Sequence, residues 1–169
     1  MAKREFTYRP NGNPQFLQDH LQKFGTTATT EEQVGPSIKI PGGMLGKNGS
    51  LAIYLKALAT NDAVVKNLRV RIGNTADVLS GTVIANLVLT SLAGGTAVVT
   101  FANRDSQAVN LSSVNGTGVT TAVTPQTVDT AKDVYIVFST QKASGAAASI
   151  SLESYLVELK AEPAGASFQ

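Results

Sequence analysis

The chain has no cysteine and no tryptophan, a single histidine, and few aromatic or charged residues, at 6% and 15% of 169. Each shortage narrows the chemistry. Without cysteine there is no disulfide, no thiolate metal site and no cysteine nucleophile. With one histidine, His20, an imidazole-centred metal site or acid–base pair is not expected. Charge well below the usual quarter of residues leaves little surface for a basic nucleic-acid footprint. No run approaches the roughly 18 apolar residues of a spanning helix, and MAKREFTYRP has no apolar stretch behind its basic residues as a secretory leader would. The expectation is a soluble chain in which the sequons at Asn48, Asn110 and Asn115 stay unglycosylated.

What fills the sequence is Thr, Ser, Ala, Gly and Val, the material of short strands and turns. Residues 1–24 hold Lys3, Arg4, Arg9 and Lys23 against Glu5 and Asp19, so the whole net charge of +2 sits there and the remainder is neutral. Residues 1–12 lack periodicity and read as an extended arm. From Asn13 to Gly25, NPQFLQDHLQKFG predicts a helix: Asn13 as cap, Pro14 at the first position, Gly25 as terminator. Phe16, Leu17, His20, Leu21 and Phe24 fall on one stripe at helical spacing. Residues 26–36 read as a linker, giving an arm over 1–36 and a β-domain over 37–169.

The β-domain is organised around LAIYLKALATNDAVVKNLRVRIG, Leu51 to Gly73. Leu51, Ile53, Leu55 and Ala57 alternate with Ala52, Tyr54 and Lys56, and Leu68, Val70 and Ile72 alternate with Asn67, Arg69 and Arg71. A period of two buries one face of each strand, and Thr60, Asn61 and Asp62 supply a turn, so the pair reads as a central hairpin. Strands are also expected at Ser37–Ile40, Ala97–Phe101, Ala108–Val114, Asp133–Thr140 and Ser149–Leu159. Thr82–Thr90 is apolar on both faces and reads as an interior strand covered on each side. VTTAVTPQTVD, with Pro125, reads as an edge or a long connection. In SISLESYLVEL the inward parity changes between Ile150/Leu152 and Tyr155/Val157/Leu159, which means a β-bulge near Ser154 or cover on both faces. The fold class is all-β: an antiparallel, jelly-roll-like sandwich of about eight strands with an N-terminal extended arm and one short helix.

Candidate chemistry is sparse, and no catalytic, cofactor or metal residue is assigned. His20 on the arm stripe reads as a packing residue. Asp129 and Asp133 lie four apart beside Lys132 and read as solvated charges. GGMLGKNGS fails as a phosphate loop, because Asn48 follows Gly46–Lys47 where Ser or Thr is required, and a strand follows where a helix is needed. Arg69 and Arg71 leave one strand in the same direction, as an interfacial face or a ligand contact. Tyr54 and Tyr135 are the aromatic candidates for a glycan.

The segments LGKNGSL (Leu45–Leu51), Thr60–Asn61–Asp62, LRVRIG (Leu68–Gly73), NRDSQ (Asn103–Gln107) and LESYLVEL (Leu152–Leu159) together resemble small structural proteins of tailed bacteriophages. The resemblance spans about residues 40–160 and carries no functional motif. It implies a non-enzymatic β-sandwich module of the virion, a head decoration, head fibre or tail fibre. A homotrimer is implied, assembled in the host cytoplasm, with the major capsid protein among its partners and neither nucleic acid nor membrane. The residues expected to anchor it to the particle are Phe16, Leu17, Leu21 and Phe24, with Lys3, Arg4 and Arg9. The alternative is a receptor- or glycan-binding tail-fibre module that takes a host-surface glycan.

Overall fold

The computed structural model describes residues 15–20, 24–26, 28–76, 79–91, 94–117, 123–144 and 147–161, the first two segments as backbone. Twelve strands form among them: β1 (Gln15–His20), β2 (Phe24–Thr26), β3 (Glu32–Gln33), β4 (Ile38–Ile40), β5 (Ser50–Ala59), β6 (Lys66–Gly73), β7 (Thr82–Leu89), β8 (Gly94–Asn103), β9 (Asn110–Gly116), β10 (Val123–Gln126), β11 (Val134–Lys142) and β12 (Ile150–Lys160). They make two antiparallel sheets. The larger runs β1-β12-β5-β8-β9-β10, with β2 also on β12; the smaller runs β3-β11-β6-β7, with β4 also on β11. The eight strands expected from the sequence are all present, and the additional four are β1, β2, β3 and the Pro125-bearing β10.

The expected hairpin at Leu51–Gly73 is an arch. The β5 strand lies in the larger sheet between β12 and β8, while β6 lies in the smaller between β11 and β7. The alternation is as read: Leu51, Ile53, Leu55, Ala57 and Ala59 are buried from one layer and Leu68, Val70 and Ile72 from the other. Two strands that each bury one face can share a turn as ladder partners or face each other across the core. Periodicity does not distinguish these. Here the residues between them cross the layers, held where Thr60 N–H donates to the Ser149 carbonyl at 3.0 Å and Ser91 N–H to the Asp62 carbonyl at 2.8 Å. The β7–β8 and β11–β12 connections cross in the same manner, so three arches lie side by side as β12-β5-β8 over β11-β6-β7. This winding makes the sandwich jelly-roll-like.

Two further expectations are corrected. The helix over Pro14–Phe24 does not form where the chain is described: Gln15–His20 is a strand, paired antiparallel with Tyr155–Leu159, and Phe24–Thr26 pairs with Ile150–Leu152. A helix of three turns is marginal alone, whereas the eleven-residue β12 offers an open ladder whose N–H and C=O groups must be satisfied. Tertiary pairing outweighs the helical stripe. Thr82–Thr90 is not an interior strand either. Among the described residues β7 is bonded to β6 alone, and Val83 and Val88 are each 37% exposed.

The change of parity in β12 is a bulge: its register with β5 shifts between Leu152 and Ser154. Ile150 and Leu152 before it, and Tyr155, Val157 and Leu159 after it, are all buried. The core between the layers is built from such positions, with Phe101, Phe138 and Ile53 fully enclosed and the Phe138 and Tyr155 rings 4.7 Å apart. Each large apolar side chain enclosed contributes about 1.5–3 kcal/mol.

Candidate functional site

Two polar clusters stand out from this frame. The first closes one end of the sandwich. Asn103, at the end of β8, is buried and donates from Nδ2 to the Gly46 carbonyl and to Thr130 Oγ1, both at 2.6 Å. It accepts at Oδ1 from Asn110 Nδ2 at 2.7 Å, and Asn110 Oδ1 accepts the Val128 N–H at 2.8 Å. Asn103 N–H donates to the Gly49 carbonyl, Asp105 N–H to Asn48 Oδ1, and Thr130 Oγ1 to the Gln107 carbonyl. Three loops are thereby bonded into one unit. Glycine is required in it at Gly46, with φ +67°, and at Gly49, where a Cβ would lie 1.9 Å from the Leu45 carbonyl oxygen. The loop that tempts a phosphate-binding reading is therefore a tightly filled structural turn, with Leu45 buried beneath it.

The second cluster lies on the outer face of the smaller sheet. Arg69 and Arg71 leave β6 on the side opposite Leu68, Val70 and Ile72, as their alternation requires. They meet Glu31, just before β3. Arg71 donates from Nε to Glu31 Oε1 at 2.8 Å and from Nη2 to Oε2 at 2.9 Å, while Arg69 Nη1 lies 2.9 Å from Oε2. Ser139 Oγ on β11 donates to Oε1 as well. Arg71 Nη1 also caps the carbonyls of Gly81 and Leu79, and Arg69 Nη1 donates to Gln141 Oε1. Residues 28–34 are tied along β11 by three more bonds: Lys142 N–H to the Ala28 carbonyl, Gln141 Nε2 to the Thr29 carbonyl, and Val34 N–H to the Phe138 carbonyl.

Arg71's two hydrogen bonds are the main reason the Glu31 carboxyl is held below its ordinary value; Ser139 and the charge of Arg69 act in the same direction and burial opposes them. A carboxylate so held is a weak base toward Ser139, and it is positioned as a latch. Sequence reasoning isolated Arg69 and Arg71 and missed Glu31. The available signal was two outward arginines on one strand in an otherwise neutral domain, which need a counter-charge.

Of the expected anchor residues, Phe16 and Leu17 lie in β1 and Phe24 in β2, against the edge of β12. Lys3, Arg4, Arg9 and Leu21 lie outside the described residues. His20 ends β1, paired with Tyr155. Asp133 is bonded to Lys39 at 2.5 Å and accepts the Gly42 N–H, and Asp129 pairs with Lys132 at 3.2 Å on the surface. Among the described residues no group of three or more His, Cys, Asp or Glu side chains is placed to hold a metal ion. Tyr54 is 41% exposed on the outer face of the larger sheet, its hydroxyl 3.4 Å from Glu158 Oε2, whereas Tyr135 lies on the outer face of the smaller sheet. The two do not share a site.

No family model and no curated protein matches the sequence. Among solved structures the chain is similar to the Lotus tetragonolobus seed lectin, with TM-score 0.46 and 7% identity over 92% of this chain and 96% of that one. It is similar to lectin I from Ulex europaeus, in complex with the methyl glycoside of α-L-fucose, at TM-score 0.42 and 9% identity over 90% and 95%. It also resembles a structure of infectious bursal disease virus, Gt strain, at TM-score 0.35 and 14% identity, over 90% of this chain and 35% of that one. Likenesses at these scores and identities transfer no binding function.

Proposed function

We propose that the protein is a non-enzymatic structural component of a bacteriophage virion, a self-associating β-sandwich whose N-terminal segment docks on the particle. The observation that carries this reading is where the phage-like segments lie. LGKNGSL and NRDSQ, 57 residues apart, are bonded directly through Asn103 to Gly46 and Asp105 to Asn48. LRVRIG lies in β6, and LESYLVEL lies in β12, which runs beside β5 from Ser154 opposite Lys56 to Lys160 opposite Ser50. The resemblance is thus to one connected structural unit, and its polar residues are spent on holding loops. Low charge supports a surface that meets other protein, and the excess of basic residues before residue 25 supports docking of that segment on an acidic surface.

The glycan-binding alternative has less behind it, since Tyr54 and Tyr135 stand on opposite outer faces. The test is to add purified protein to particles that lack it. Saturable binding is expected, weakened by salt and abolished by joint Lys3→Glu, Arg4→Glu and Arg9→Glu substitution in a chain that still folds. Binding unaffected by that reversal contradicts the role given to the N-terminal segment. Absence of binding, with capture on a glycan array, favours the alternative.

A further inference from the structure

We infer that the free side of β7 is an assembly edge, pairing antiparallel with β7 of a second copy so that the smaller sheet continues across a two-fold axis. This rests on the self-association in the proposed function and names the surface that performs it.

The sheet margins are not alike. The far side of β12 is covered by β1 and β2, which become the margin there: β1 is six residues with Asp19 and a register shift after Phe16, and β2 is three. The opposite margin of the larger sheet is β10, four residues long and carrying Pro125, which has no N–H to give. One margin of the smaller sheet is divided between β3 and β4, two and three residues long, with Glu32 and Lys39 exposed on them. Shortness, charge and proline are the means by which natural sheets blunt their edges. The remaining margin has none of them. β7 is eight residues, TVIANLVL, without a charge or a proline, and among the described residues nothing pairs with its far side. Its one irregularity is a shift in register with β6 that leaves Ile84 unpaired near its start; from Ala85 to Leu89 the ladder with β6 is regular.

The composition of the strand agrees. Thr82–Thr90 is written as an interior strand, apolar on both faces, yet the single chain leaves it at a margin with Val83 and Val88 exposed. The two facts are reconciled when the margin is interior in the assembly. Length and charge select the occupant. Among the described residues the other margins offer strands of two to four residues, or β1, six residues that include Asp19 and whose ladder with β12 is broken between Phe16 and Gln18. Only another β7 matches β7 along its length, and an uncharged strand meets its own copy without repulsion. Identical strands meeting edge to edge form an isologous pair about a two-fold axis, which makes them antiparallel. A two-fold pair replaces the homotrimer implied by the phage resemblance as the basic unit.

The test uses the full chain and a Val83→Lys/Val88→Lys variant, which adds charge at two exposed side chains and leaves the core unchanged. Light scattering across the micromolar range should give the wild type twice the 17.6 kDa chain mass, and the variant the single mass with an unaltered circular dichroism spectrum. Amide exchange of residues 82–89 should slow as wild-type concentration rises. A wild type that associates, with the variant associating equally and residues 82–89 exchanging at a rate independent of concentration, overturns the β7 edge and leaves self-association standing. A wild type monomeric throughout overturns both, while docking on the particle stays separately measurable. Should the variant fail to fold, the wild-type exchange of residues 82–89 decides alone.

Discussion

Arg71 and Glu31 face each other as two parallel forks, Nε to Oε1 at 2.8 Å and Nη2 to Oε2 at 2.9 Å, joining β6 to the segment that leads into β3. Both side chains are more than four-fifths enclosed, so the pair is screened less than a surface ion pair. Glu31→Gln removes the charge and should cost about 1.5–3 kcal/mol, the scale of hydrogen bonds to charged groups. The pH dependence follows from the lowered Glu31 pKa. The contribution is full above the ordinary carboxylate range and is lost as pH falls through the lowered folded value. Amide exchange in residues 28–34 should therefore accelerate on acidification in the wild type. In Glu31→Gln it should already be fast at neutral pH; equal rates in the two proteins at neutral pH contradict the latch.

Lys66 is fully enclosed at the end of the core, its Nζ 2.7 Å from Asp62 Oδ1 and 2.8 Å from the Val64 carbonyl. Removing Asp62 strands a buried ammonium, whereas Lys66→Met removes the charge and keeps the volume. Stability in urea should thus fall more for Asp62→Ala than for Lys66→Met; the reverse order contradicts the assignment. Asp62, held at a pKa of about 2 chiefly by its bond to Lys66, contributes fully above the ordinary Asp value of about 3.9. That contribution is lost as pH falls through about 2.

Asn103 joins three loops that are far apart in sequence. Asn103→Ala leaves Asn110 Nδ2 and the Gly46 carbonyl without their partners, at about 1–3 kcal/mol for each buried group so stranded. The expected sign is a drop in thermal midpoint with faster exchange in residues 41–49 and 104–109 together. A drop confined to one loop argues against a single unit.

The strands themselves were legible because alternation reports burial directly: Leu51 through Ala59, Leu68 through Ile72, and the bulge beside Ser154 could all be read from parity. Their partners were not. Whether β5 and β6 share a ladder or face each other across a core depends on the path of residues 60–65, and the same alternation serves both. The stripe of Phe16, Leu17 and His20 suits a helix in isolation, and only the open edge of β12 makes it a strand. Glu31 escaped notice because its partners lie 38 and 40 residues further on, in a segment that has no periodicity of its own.

Burial raises the Tyr155 pKa to about 12. A phenol that ionises near 10 in the unfolded chain but near 12 in the fold binds its proton more tightly in the native state. Stability is therefore unaffected below about pH 10 and declines between that value and 12. Tyr155→Phe should remove part of that alkaline loss, as measured by urea unfolding at neutral and alkaline pH. An identical alkaline slope in the variant contradicts it.

The proposed virion role is tested most directly by a density map of intact particles produced from the genome that encodes this chain. The account predicts many copies of the two-layer sandwich at fixed positions on the particle, with residues 1–25 directed at the protein beneath. Purified, infectious particles that contain no copy of the chain would contradict it.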